Sequence, residues 1–169
     1  MQRKRLDYSH SSGPVLLRGH PNEPLDLFVI CYGIDKCQPD YRYSRTNHPV
    51  YVMEYVMRGE GTFQAGGRSW HLHGGMCFFY GPGTPHTYWT DPVNTMVKLW
   101  VVYAGRKATS LTREVLGQTY GAFALANPET IHSVMEAIAT DILNKSLFSQ
   151  QICDNFLRAL LPRSRPTSW

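Results

Sequence analysis

Five side chains of this sequence could act together in recognising one small molecule: Glu54, His86, Tyr88, Lys98 and Trp100. Side chains alternate across a β-strand, so residues two apart stand on one face. His86 and Tyr88 meet that condition just after the bend Gly81-Pro82-Gly83-Thr84-Pro85, and Lys98 and Trp100 meet it inside the run TMVKLWVVY. Glu54 shares parity with His48, Val50, Val52 and Val56. Pointing inward together, they would make a polar, aromatic pocket suited to a small polyhydroxylated molecule. An indole face stacks on the C–H side of a sugar ring, while imidazole, phenol, amine and carboxylate give directional hydrogen bonds to hydroxyls. Each aromatic taken alone fits a core equally well; the joint placement is what favours a pocket. Lys98 adds to it, because a lysine flanked by Met96, Trp100 and Val102 either snorkels to a rim or faces a cavity holding something polar.

The elements that would position these residues centre on Tyr51–Tyr88. Tyr51–Met57 is an almost wholly apolar strand, and Arg58-Gly59-Glu60-Gly61 follows as a tight turn. Ala65-Gly66-Gly67 marks a hairpin between Thr62-Phe63-Gln64 and Ser69-Trp70-His71-Leu72, and Gly74-Gly75 leads into Met76–Tyr80. Upstream, Leu25–Ile34 is strand-prone, and Lys36–Arg45 carries Tyr41 and Tyr43 on one face, with Pro39 pointing to an edge. Thr95–Tyr103 is the last obvious strand. Short strands with regular Gly/Pro punctuation predict a barrel or sandwich. Residues 1–24 read as an extended arm in which Val15-Leu16-Leu17 could pack on the barrel.

After residue 107 the pattern turns helical. Ala108–Gly117 predicts a short helix ended by its glycine. Asn127 and Pro128 open a longer one, with a stripe at Ile131, Val134, Met135, Ile138 and Ile142; Ile152, Phe156, Leu157, Leu160 and Leu161 form a second stripe.

Strand, RGxG turn, GG hairpin, GGMCFFYGPGTPHTY and TMVKLWVVY together resemble the N-terminal effector-binding and dimerisation half of AraC-type transcription regulators, over roughly residues 25–161. The resemblance implies a mainly β fold: a cupin-like barrel (double-stranded β-helix, or jelly roll) followed by C-terminal α-helices. It divides the chain into the arm at 1–24, an effector-binding barrel at 25–107 and a helical dimerisation region at 108–169. It further implies a homodimer through those helices, a small-molecule effector, no cofactor and no catalysis. Promoter DNA would be reached only through a DNA-binding domain outside these 169 residues. Matched by motif, Tyr88 and Trp100 fall where the family has sugar-contacting aromatics, and Lys98 falls where it has a histidine contact. Arg45 falls near an arginine contact, although its spacing to the RGxG turn is one residue shorter.

A metal reading competes. Metal-binding cupins carry two histidines and a glutamate, then a later histidine. Glu54 and His86 fit two of those places and His48 a third, while Val50 stands in the fourth; His71 and His73 do not match. His48, Glu54 and His86 would be a two-histidine, one-carboxylate set for a small metal-dependent cupin enzyme, an oxygenase or a sugar isomerase. A free-standing sugar-binding module is the third alternative.

Composition narrows the class. A hydrophobic content of 43% and an aromatic content of 12% are those of a globular chain, and no apolar run could span a membrane. The N-terminus lacks the apolar segment of a secretory signal, which makes the cytoplasm the expected compartment. The net charge of +4 sits partly at the two ends, as solvated tails do. Cys31, Cys37, Cys77 and Cys153 show no zinc spacing and are expected reduced.

Overall fold

The computed structural model describes residues 15–16 and 26–125, with residues 129, 133 and 134 helical. Between residues 15 and 125, the described residues form ten strands and one helix in chain order: β1 (Val15–Leu16), β2 (Phe28–Lys36), β3 (Arg42–Arg45), β4 (Tyr51–Arg58), β5 (Glu60–Ala65), β6 (Arg68–His73), β7 (Met76–Tyr80), β8 (His86–Thr90), β9 (Val97–Ala104), α1 (Ala108–Leu116) and β10 (Tyr120–Ala124). They form a six-stranded sheet ordered β1-β2-β9-β4-β7-β10 and a four-stranded sheet ordered β3-β8-β5-β6, with every pairing antiparallel. Strands β2 to β9 are distributed between the sheets in the jelly-roll order of two Greek keys. That order gives the expected barrel, with β1 and β10 added at its two outer edges.

The turns are set by glycine where the chain has no room for a side chain. Gly59, between β4 and β5, has φ of 85°, and a Cβ there would strike the backbone of Thr95 and Met96. Both facts select glycine. Beyond it, Glu60 N–H donates to the Asn94 carbonyl at 2.8 Å, and Asp91 N–H donates to the Glu60 carbonyl at 2.8 Å. The β4–β5 turn and the β8–β9 loop are thereby locked together.

β4 is buried from Tyr51 to Val56 because both its faces are covered. Tyr51, Met53 and Tyr55 join Phe79, Val101 and Tyr103 in a core on the outer side of the large sheet, roofed by Ala108, Leu111 and Val115 of α1. Val52 and Val56 face the other way and pack with Phe63, Leu72, Phe78 and Tyr88 between the sheets. α1 ends where expected: Gly117 is left-handed at φ 71° and its N–H donates to the Arg113 carbonyl at 2.8 Å. Tyr51 and Tyr103 fasten it to the sheet through hydroxyl contacts to Thr109 and Thr112, at 3.0 and 2.9 Å.

Two features depart from the sequence reading. The sheet continues past residue 107, because β10 returns after α1 and pairs with β7 from Tyr120↔Tyr80 to Ala124↔Met76. A five-residue strand with two alanines and a glycine carries little periodic signal, and its pairing is wholly non-local. The arm also does more than pack: Val15 and Leu16 extend the sheet, in register with Tyr32 and Cys31. The two long C-terminal stripes lie outside the described residues, apart from Val134, which packs on the outer core. Cys153 lies outside them too. Cys31, Cys37 and Cys77 are free thiols, and burial pushes Cys37 up to about 12.

Candidate functional site

The space between the sheets carries charge as well as apolar side chains. On β4, inward-facing Val52 and Val56 flank Glu54, which shares their face and stands directly opposite Trp100 on β9. Lys98 stands one inward position along β9, opposite Val56, and is 1% exposed. Its ammonium lies 2.6 Å from Glu54 Oε2 and 2.7 Å from Asp35 Oδ2 on β2. It also lies 5.4 and 5.2 Å from the ring centres of Tyr41 and Tyr88, within cation–π range. Burial alone would favour loss of the Lys98 proton. The two carboxylates outweigh burial and hold its pKa above the ordinary lysine value, so it is a buried ammonium with a paired charge.

The carboxylate of Glu54 is shared. Tyr80 donates its hydroxyl to Oε1 at 3.0 Å, and burial followed by the Glu54 charge raises the tyrosine pKa, so the phenol keeps its proton. The Tyr80 ring stacks on His86 with centres 3.7 Å apart. His86, on β8, is 4% exposed, and its Nδ1 lies 2.8 Å from the Thr84 carbonyl. A carbonyl only accepts, so Nδ1 carries the proton and Nε2 presents a lone pair. That Nε2 is buried without a hydrogen-bond partner among the described residues. Burial lowers the His86 pKa from its ordinary value, against a smaller raising effect of the Thr84 carbonyl. A neutral, acceptor-ready imidazole in a core is a feature that asks for a partner.

Tyr88, the next inward residue of β8, is 2% exposed and its hydroxyl meets that of Tyr41 at 3.3 Å. Tyr43, paired with Tyr88 across β3–β8, stacks on it at 5.2 Å. Trp100 is half-buried and lies across Gly33 of β2, where a Cβ would collide with the indole. The interior thus brings together Glu54, His86, Tyr88, Lys98 and Trp100, and joins to them Asp35, Tyr41, Tyr43 and Tyr80. Sequence reasoning does not single out these last four as site residues. Tyr41 and Tyr43 have the right parity and could have been found by it. Asp35 falls just past the apparent end of its strand at Ile34, and Tyr80 is masked by the unbroken apolar run MCFFY.

Arg45 is placed differently. It is exposed at the end of β3, in register with His86, with its Nε donating to the Tyr43 hydroxyl at 3.1 Å and its guanidinium 5.3 Å from that ring. It stands at the rim of the interior. Beside it is an open depression of about 640 Å³, walled by Arg45, Thr46, Gln64, Arg68, His86 and Thr87 among others. His86 therefore borders both the interior and this opening.

The metal alternative needs correction. Among the described residues, no three His, Cys, Asp or Glu side chains are grouped to hold an ion, so His48, Glu54 and His86 do not form a ligand set. His48 instead directs Nδ1 to the Val50 carbonyl at 3.0 Å and meets the Tyr80 ring edge to face. The physical reason is Lys98, whose ammonium already lies against Glu54 where a cation would have to sit.

Comparison with known proteins places this geometry in context. A family model described as the AraC-like ligand binding domain matches residues 28–161. The raffinose operon transcriptional regulatory protein RafR of Pediococcus pentosaceus is 29% identical over 85 residues, which are 49% of this chain and 31% of that protein. Among solved structures, the AraC-like transcriptional activator CuxR superimposes with a TM-score of 0.60 at 13% identity, covering 85% of this chain and 54% of that one. YhaK from Escherichia coli gives 0.53 at 12% identity, covering 70% and 52%. The chain therefore spans about a third of the regulator it matches and about half of each superimposed structure. Within the described residues, no helix is long and apolar enough to cross a membrane.

Proposed function

The chain belongs to the AraC-like ligand-binding domain family, and on that premise we propose that it is the sensing and dimerisation half of a transcription regulator whose effector is a sugar or related polar metabolite. The observation that carries this reading is the buried polar group at the barrel interior: a paired ammonium, a shared carboxylate and an unpartnered imidazole, walled by Trp100, Tyr88 and other aromatics. Burying such groups costs free energy unless they are partnered. An apolar core would stabilise the barrel as well, so the groups are accounted for by what they recognise. Sugar hydroxyls answer that chemistry, since each can donate to His86 Nε2 and accept from a neighbour, while an indole covers the ring face. The likeness to a raffinose operon regulator supports a carbohydrate.

The mechanism is coupling without catalysis. Effector binding favours one arrangement of arm, barrel and C-terminal helices, by no more than its difference in affinity between the two states. A homodimer through those helices would set the spacing of two DNA-binding domains carried beyond this segment, and through them the contact with promoter DNA. No metal, cofactor or reaction step is required.

Isothermal titration of the 169-residue chain with a panel of sugars, raffinose included, tests the reading. At least one sugar should bind, and Trp100→Ala should weaken it by roughly tenfold, about 1.4 kcal/mol, with an unchanged far-ultraviolet spectrum. Wild type that binds no carbohydrate, or Trp100→Ala that binds as tightly, overturns it.

A further inference from the structure

The charges of the barrel interior do not balance. Two carboxylates, Asp35 and Glu54, share the single ammonium of Lys98, at 2.7 and 2.6 Å. Among the described residues neither carboxylate meets a second cation. Lys36 takes the opposite face of β2, and Arg45 is turned onto the Tyr43 ring at the rim. The group therefore carries one negative charge in excess. Acceptors are in excess as well: the ammonium directs its hydrogen bond to Asp35, and the buried Glu54 Oε2 accepts none although Lys98 lies against it.

The two carboxylates differ in access. The Glu54 side chain is 2% exposed and that of Asp35 is 35% exposed, so the network reaches solvent through Asp35. Asp35 stands opposite Lys98 in the ladder, one inward position beyond Gly33, whose side-chain space the Trp100 indole fills. The Tyr41 ring lies 5.4 Å from the same ammonium. Trp100 and Tyr41 are both half-buried, so an indole and a phenol stand beside the open carboxylate. The depression at the rim is a separate place, walled by the outward row of the small sheet and not by Asp35, Lys98 or Trp100.

Water completes the solvation of Asp35 while the site is open. A ligand lying on the indole would strip that water from a carboxylate that has only a share in one ammonium. Burying a charge is costly unless a partner comes with the burial. A neutral hydroxyl donates one hydrogen bond and brings no charge. An ammonium brings three donors and the missing positive charge, and aromatic faces favour it further.

We propose that the effector is an amino sugar, its ammonium held by the Asp35 carboxylate beside Tyr41 and its ring stacked on Trp100. This rests on the sensor reading above and narrows its ligand class.

The wild-type chain is titrated with matched sets: glucosamine, galactosamine and mannosamine, their neutral parents, their N-acetyl forms, and ethanolamine. N-acetylation keeps the ring and the nitrogen and removes the charge, so the comparison needs no variant. The expected result is that one amino sugar binds at least about tenfold tighter than both its parent and its N-acetyl form, with the advantage shrinking as salt rises. Asp35→Asn keeps the shape and an acceptor for Lys98, and should cut the amino-to-neutral ratio by about tenfold. Asp26→Asn removes an equal charge outside the interior, where Asp26 pairs with Arg106 and Lys107, and should leave the ratio unchanged. Equal affinity for amino and neutral sugars overturns the amine assignment and leaves the sensor reading standing. Ethanolamine binding as tightly as the amino sugars shows an amine site without sugar recognition, and overturns it as well. An equal fall of the ratio in both variants, or none in Asp35→Asn, removes the ammonium from Asp35 and overturns the proposal. Binding of no sugar, amino or neutral, overturns both readings.

Discussion

Lys98 is the residue that decides the character of the interior. Its ammonium is 1% exposed and touches two carboxylates, one of them, Glu54, equally buried. Exposed ion pairs contribute about 0–1 kcal/mol, whereas breaking a buried one by removing a single partner costs about 3–5 kcal/mol, because an unpaired charge is left in the core. Lys98→Met should therefore lower the stability measured by urea unfolding by about 3–5 kcal/mol. Adding Glu54→Gln should restore more than half of that loss, since the amide removes the stranded charge and still accepts from Tyr80. A Lys98→Met cost below about 1 kcal/mol, or no recovery in the double variant, would show that the charges are solvated and not a closed network. The residue types are legible in the sequence, because a lysine and a glutamate at inward parity are conspicuous against apolar neighbours. Their pairing is not. Parity fixes which face a side chain takes, but the meeting of Lys98 with Glu54 and Asp35 depends on β2, β9 and β4 being neighbours, and that order comes from pairings between distant parts of the chain.

At the scale of elements, β2 and β9 position the indole. Gly33 lies opposite Trp100 in the ladder, and the ring occupies the space a side chain at Gly33 would need. Gly33→Ala should push the indole off its seat without touching any polar group of the site. The expected outcome is an affinity loss comparable to that of Trp100→Ala, at a stability cost of about 1–3 kcal/mol, the usual range for overpacking. Unchanged affinity in Gly33→Ala would mean that the indole's position does not matter to the ligand. The strands themselves are readable because glycine and proline mark nearly every turn between β4 and β8, and the alternation within β8 is plain: His86, Tyr88 and Thr90 buried, Thr87 and Trp89 only partly so. β10 is not readable, because Tyr120–Ala124 lacks both a strong apolar pattern and a nearby partner, and it is stabilised only by the ladder with β7. Asp35 escapes notice for a related reason. β2 runs on to Lys36 against β9, and strand ends are set by the partner more than by local preference.

At the scale of the molecule, the large sheet has a covered outer face and the question is what covers it. α1 roofs part of that face, and Val134, from the first apolar stripe, packs there too. The first stripe is thus engaged at least once with its own barrel. The second stripe, Ile152 to Leu161, lies outside the described residues, and the dimer proposed above assigns it to the contact with a second copy, since pairing apolar helix faces is a usual way to bury such a stripe. These two roles have different signatures. Val134→Asp should destabilise the fold, lowering the unfolding midpoint whatever the protein concentration, because a charge is forced against the core. Leu160→Asp should instead convert a dimer of 19.3 kDa chains into monomers in analytical ultracentrifugation, while leaving effector affinity within about threefold, since ligand and dimer contacts would stand on different elements. A wild-type chain that sediments as a monomer at tens of micromolar would remove dimerisation from this segment. If Val134→Asp dissociated the dimer and Leu160→Asp did not, the assignment of the two stripes would be reversed. The effector then links the two scales: a ligand that binds the dimer better than the monomer must tighten the dimer by the same factor, so saturating sugar should shift the monomer–dimer midpoint to lower concentration. An unshifted midpoint would confine the effector's action to the barrel and arm.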